Sequence, residues 1–149
     1  MKRFFRCTCL VLAVVMILSV PAFASETLES KASSFFTGSS VYLCNVSGNY
    51  FEAWFDVTAT GTMDTIGANF IKIQQSPDGV NWTTVKTCAK ENYPYLYLVD
   101  YNSTTHTAGV SYTGTPGYYY RAYIQLYAKK SSGSGIRDRY TSAIYIPAN

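Results

Sequence analysis

Tyr50-Phe51-Glu52-Ala53-Trp54-Phe55-Asp56-Val57-Thr58-Ala59 decides the fold class. Successive side chains of a strand point to opposite faces, so Phe51, Ala53, Phe55, Val57 and Ala59 share one side and Tyr50, Glu52, Trp54, Asp56 and Thr58 the other. An amphipathic helix would repeat its apolar residues every three or four positions, and this stretch does not. It predicts a strand with one buried face. Outward from it, Asn69 to Gln75 and Trp82 to Cys88 flank Ser76-Pro77-Asp78-Gly79-Val80-Asn81, a run of turn formers that predicts a hairpin. Tyr93 to Tyr101 is rich in β-favouring Tyr, Leu and Val. Gly117 to Lys129 alternates again, with Tyr118, Tyr120, Ala122, Ile124, Leu126 and Ala128 opposing Tyr119, Arg121, Tyr123, Gln125, Tyr127 and Lys129. Ser131 to Gly135 is a Gly/Ser loop before a last strand at about Tyr140 to Ile146. With Val41 to Val46 this makes about seven strands and no helical-period segment, so the pairing is antiparallel. The expected class is all-β, as a two-sheet sandwich over 41–149, with a five- or six-stranded barrel as the alternative.

The start of the chain has a different character. Residues 1–24 read as a secretory signal peptide: basic Lys2, Arg3 and Arg6, an apolar run from Leu10 to Val20, then Ala22-Phe23-Ala24 as a small-residue cleavage site. That run is shorter than the ~20 residues of a membrane span, and no second apolar stretch follows. Removing 24 of 149 residues leaves 125. Three of the twelve Lys and Arg leave with the signal, so the net charge of +3 becomes zero against nine Asp and Glu. A neutral mature chain offers no composition-level case for nucleic acid or an anionic membrane surface as partner. Residues 25–40, rich in Ser, Thr and charge, read as a flexible lead-in in which Phe35-Phe36 can dock on the domain. Localisation is expected to be extracellular.

Cys7 and Cys9 fall within the signal, leaving Cys44 and Cys88. An even count in an oxidising compartment predicts a Cys44–Cys88 disulfide. Closing that loop would destabilise the denatured state by about 4 kcal/mol in the chain-entropy account. No Cys-x-x-Cys spacing supports a redox role.

The stretch from Ile71 through Ser76-Pro77-Asp78-Gly79 to Trp82 and Val85 resembles a hairpin of fibronectin type III and wider immunoglobulin-like sandwiches. There, an alternating strand enters a Ser-x-Asp-Gly turn and a Trp opens the return strand. Gly117 to Ile124, the Gly/Ser loop and the final strand are similar to their penultimate strand and closing hairpin. The antibody pattern is not met, because Lys86 stands where a tyrosine corner would precede the second Cys. In size and layout the whole chain is similar to small secreted proteins of Gram-positive bacteria that carry a domain of unknown function. The resemblance implies an immunoglobulin-like scaffold and assigns no activity.

Catalytic constellations are sparse. Glu52 and Asp56 are four residues apart on one strand, about 13 Å, against the about 5 to 9.5 Å of glycosidase carboxyl pairs. His106, the one His, sits in the polar stretch Asn102-Ser103-Thr104-Thr105-His106-Thr107, read as a loop. It has Asp100 nearby in sequence but no nucleophile elbow. One His with two cysteines does not make a four-ligand zinc site, and no Asp-rich loop suggests calcium. No metal or cofactor is expected, nor an enzyme.

The aromatic excess remains. All 14 Tyr, both Trp and five of the eight Phe lie past residue 24. With Ile124 and Leu126 facing the core, Tyr119, Arg121, Tyr123, Gln125 and Tyr127 face outward as the candidate ligand-binding residues. In the sandwich resembled, Phe70, Lys72, Gln74 and Tyr145 join them. Rigid rings among amide and cationic donors suit an extracellular protein, a second copy or a glycan. Cross-strand aromatic pairing accounts for the same pattern without any ligand. The predicted protein is a secreted, non-catalytic binding or cell-surface module. A cell-wall glycan-binding module and a bacteriocin-like toxin are the alternatives.

Overall fold

The computed structural model describes residues 34–148. Seven antiparallel strands form one hydrogen-bonded sheet: β1 (Phe36–Ser47), β2 (Tyr50–Ser76), β3 (Thr83–Ala89), β4 (Val99–Thr113), β5 (Tyr118–Lys130), β6 (Gly133–Tyr140) and β7 (Ile144–Ile146). A short 3-10 turn, Tyr95–Leu98, leads into β4. The signal-peptide reading of residues 1–24, including Cys7 and Cys9, lies outside the described residues. So does most of the lead-in.

β2 organises the sheet. Its first half lies between β1 and β4, with Phe55 opposite both Val41 and Ala108. Its second half lies between β3 and β5, with Ile71 opposite both Cys88 and Ile124. β4 follows β2 around the bend between them. From Thr58 to Met63 β2 advances five positions while β4 moves only from Thr105 to Ser103. Surplus residues on one strand of a pair bend it and increase its twist, and here they curl the sheet. The apolar faces of both halves then share one core, in which the rings of Phe51 and Tyr120 lie 5.2 Å apart.

Alternation carries through both halves. Phe51, Phe55, Ile71, Ile73, Ile124 and Leu126 are fully buried. Each contributes about 1.5 to 3 kcal/mol of transfer free energy. Tyr120 is also wholly buried, and its hydroxyl donates to Gln75 Oε1 at 2.7 Å and accepts from the Thr115 N–H at 2.7 Å. That pairing removes the penalty of burying an unsatisfied hydroxyl. Gly67, at a φ of 149°, has no room for a side chain: a Cβ there would drive into the Leu98 carbonyl oxygen and the Val99 Cα. The close approach seats the 3-10 turn against β2 and buries Leu98.

Several expectations need correcting. Where the sequence predicts one strand ending at Ala59 and another starting at Asn69, β2 runs unbroken through Thr60-Gly61-Thr62. All seven strands consequently hydrogen-bond in one curled sheet. β1 begins at Phe36, inside the stretch read as lead-in, and Phe36 is 6 % exposed. Tyr93 to Leu98 is a loop and turn instead of strand, consistent with Pro94 having no N–H to give a ladder. The stretch read as a loop around His106 is the middle of β4, and the Gly/Ser loop is a tight turn that launches β6.

The Cys44–Cys88 bridge is not formed; both are free thiols. Cys44 lies on β1 opposite Glu52 and points outward. Cys88 lies on β3 opposite Ile71, past the bend and wholly buried. A disulfide needs Cα atoms within about 4.4 to 6.8 Å and converging Cβ vectors. An even cysteine count speaks to compartment, not to proximity. The Tyr95 hydroxyl is hydrogen-bonded to Cys88, which raises its pKa.

Candidate functional site

The second half of the sheet carries the aromatic face. Strand parity turns Tyr119, Arg121, Tyr123, Gln125 and Tyr127 of β5 away from the core, all half-buried. The register sets Gln74 opposite Arg121, Lys72 opposite Tyr123 and Phe70 opposite Gln125 on β2, and Tyr145 opposite Tyr119 on β7. β6 completes the face, with Tyr140 opposite Tyr123 and Asp138 opposite Gln125.

These side chains engage one another. Tyr123 and Tyr140 stack at 4.8 Å with an interplanar angle of 17°, and Phe70 meets Tyr123 edge-on at 5.4 Å. The Arg121 guanidinium lies between Trp82, at 4.3 Å, and Tyr140, at 4.6 Å, while its Nε donates to Gln74 Oε1 at 2.7 Å. Lys72 sits over Phe70 at 4.7 Å and Lys90 over Tyr127 at 3.9 Å. The Tyr123 hydroxyl and the Gln125 amide both donate to Asp138 Oδ1. Burial, reinforced by that bond to Asp138, pushes the Tyr123 hydroxyl up to about 12, so the ring stays a neutral donor at physiological pH. Burial also lowers the Lys90 ammonium. Tyr140, 54 % exposed, and Tyr145, 47 % exposed, present the most ring surface to solvent.

The first half has a different outer face, built from β1, the start of β2 and the end of β4. Tyr42 stands opposite Trp54, and Trp54 opposite Gly109. A Cβ on Gly109 would lie 2.5 Å from Trp54 Cδ2, so the indole lies against the bare backbone of β4. Glu52 Oε2 accepts from Trp54 Nε1 at 2.9 Å and fixes the ring. Asp56 accepts from Ser40 at 3.1 Å and Thr107 at 2.6 Å, its two strand neighbours. The two carboxylates are thus held apart by separate neutral donors and do not converge.

His106 packs on Phe55 at 5.7 Å, and its Nε2 lies 2.9 Å from the Tyr97 carbonyl oxygen. Asp100, opposite Ile66 past the bend, accepts from the Tyr101 N–H. The two are not brought together. No group of three or more His, Cys, Asp or Glu with metal-binding geometry occurs among the described residues. The Ser76–Asn81 loop is closed by Asp78, which accepts from the Asn81 and Val80 amides and from Ser76; these bonds, led by the Asn81 amide, hold its carboxyl well below the usual range.

Sequence reasoning did not find Trp82, Asp138 or Tyr140 as parts of the aromatic face. Asp138 lies in β6, a strand the sequence reading did not assign. The last strand expected over about Tyr140 to Ile146 is instead the end of β6 at Tyr140 and a separate β7 from Ile144, and the Trp82–Arg121 contact needs the register. No helix among the described residues is long and apolar enough to cross a membrane. No family model matches the chain, and no curated protein matches it as a relative.

Proposed function

We propose that this chain is a secreted, non-catalytic interaction module that contacts an extracellular protein or surface through the aromatic face of β2, β5, β6 and β7. The observation that carries this reading is the ring-and-cation lattice itself: Tyr145, Tyr119, Arg121, Tyr123, Tyr140 and Lys72 stay half-exposed while their mutual contacts fix their rotamers. Pre-set rings lose little conformational entropy on binding, and Tyr and Arg are favoured at interface centres. The scaffold is read as a single-sheet relative of the immunoglobulin-like sandwich that the sequence resembles, with export through the basic and apolar start of the chain. Action by binding and not by catalysis is supported by Glu52, Asp56 and His106, each already engaged by neutral partners.

The test is retention of the purified protein on isolated cell envelopes of an exporting bacterium. Tyr140→Ser with Tyr145→Ser removes the two most exposed rings of the face and should abolish retention while the melting temperature falls by only a few degrees. Retention that persists in this variant excludes the face as the contact. A melting transition lost together with retention assigns the rings to packing alone.

A further inference from the structure

Charge is unevenly divided between the two halves of the sheet: past the bend of β2, Lys and Arg outnumber the carboxylates Asp64, Asp78, Glu91, Asp100 and Asp138. Among the described residues every Lys and Arg (72, 86, 90, 121, 129, 130, 137 and 139) belongs to the second half and its connections. The outward positions of β2 and β5 on the aromatic face carry Lys72, Arg121 and Lys129, with Lys90 just past β3, and Asp138 on β6 is the carboxylate among them. The outward positions of the first half carry Glu52 and Asp56. The cations that reach this half come from the other one: Lys86 Nζ donates to the Ser111 carbonyl oxygen of β4 at 3.1 Å, and Arg137 Nη1 to Ser39 Oγ of β1 at 3.1 Å.

Contacts with rings and hydroxyls neutralise neither set, and the Glu91 carboxylate beside Lys90 offsets that one cation in part. Lys72, Lys90 and Arg121 lie over aromatic rings, whose quadrupoles attract a cation without cancelling its charge. Glu52 and Asp56 accept only from an indole N–H and hydroxyls, which stabilise a carboxylate and leave its charge in place. Each face keeps a field of its own sign, and aromatic rings lie on both, with Tyr42 40 % exposed beside Trp54 on the acidic one.

We infer that the acidic face of one copy of this chain docks on the basic aromatic face of the next, joining molecules head to tail. The inference rests on the reading of the aromatic face as a contact surface and names its partner. Opposite charges face each other in this arrangement, whereas like faces brought together repel. Different surfaces on the two partners make the contact heterologous, so it extends into open chains unless the rotation closes a ring. Three strands about 4.8 Å apart and ten residues long present roughly 500 Å² per face, below the ~800 Å² per partner of a standard stable interface. The single contact is therefore weak and electrostatic, and takes effect where copies are concentrated.

Sedimentation velocity of the purified protein over a concentration series tests it, in about 0.01 M and about 1 M salt, where the screening length falls from about 30 to about 3 Å. The mean mass should rise with concentration at low salt and return to the monomer at high salt. E52K/D56K, with two basic faces, and K72E/K129E, with two acidic ones, should each associate at least about tenfold more weakly. Their equimolar mixture should associate again, which unfolded variants would not do in a salt-sensitive manner. Where a reversal disturbs the fold by circular dichroism, E52Q/D56N removes the acidic charge without added bulk. A protein that stays monomeric throughout, association indifferent to salt and to the variants, or folded variants whose mixture fails to associate would each overturn the inference. Envelope retention by a strictly monomeric protein would sink the head-to-tail contact and leave the binding reading standing; salt-sensitive association without retention would do the reverse.

Discussion

The two halves of the sheet bury the same kind of face and expose opposite ones. Inward, Phe51, Ala53, Phe55 and Val57 in the first half match Ile71, Ile73, Ile124 and Leu126 in the second, all apolar and all in one core. Outward, the first half sets a fixed indole among carboxylates and hydroxyls, and the second sets tyrosines among guanidinium and ammonium groups. Both chemistries lie on β2 itself, at Glu52, Trp54 and Asp56 and at Phe70, Lys72 and Gln74. Core formation constrains alternate residues only, so the other parity is free to differ from one end of a strand to the other.

Cysteine reactivity separates the halves most sharply. Under native conditions without reductant, Cys44 on the acidic face should take one alkyl group within minutes, while Cys88 reacts only after denaturation. For residues 25–149, intact mass should show one addition, then two; none at either stage would mean a bridge. Next in size is Gly109→Val, which forces a branched side chain into the Trp54 ring and the Ala53 carbonyl oxygen at 2.9 Å. Overpacking of this kind costs about 1 to 3 kcal/mol, read as a fall in melting temperature. On the opposite face, the stacked pair should show a coupling of about 0.5 to 1.5 kcal/mol in a double-mutant cycle of Tyr123→Ala and Tyr140→Ala. A coupling near zero would mean that the two rings merely lie side by side.

The smallest effect is on pH dependence. Tyr123 has its pKa raised in the folded state, to about 12 from the usual 10, so its contribution is fully present below about pH 10 and is lost as pH rises toward 12. Tyr123→Phe should therefore lose stability less steeply between pH 10 and 12, measured by urea unfolding. Asp78 has the opposite sign: its lowered pKa gives stability that is present above about pH 4 and lost under stronger acid, so Asp78→Asn should flatten the acid limb.

Much of this was legible from residue order. The alternation from Tyr50 to Ala59 and from Tyr118 to Lys129 assigns inward and outward side chains, and the Ser-Pro-Asp-Gly-Val-Asn run marks the β2–β3 turn. Phe70, Lys72, Gln74 and Tyr145 do lie beside the outward residues of β5. Less legible was the middle of β2, because Thr60-Gly61-Thr62 carries no apolar alternation and a bend needs none. The middle of β4 was equally hidden: Ser, Thr, Asn and His are ordinary loop residues, and only pairing with β2 makes them strand.

By itself the sequence determined an all-β chain, its one-sided strands and the residues on each side, since a period of two follows from backbone stereochemistry and needs no partner. Tertiary structure decided what those sides meet. The surplus residues between Thr58 and Met63 curl one sheet over a common core, part Cys44 from Cys88, and turn an acidic and a basic aromatic face away from it. Such outcomes depend on register and on where a strand bends, and both are set by contacts between residues far apart in the chain.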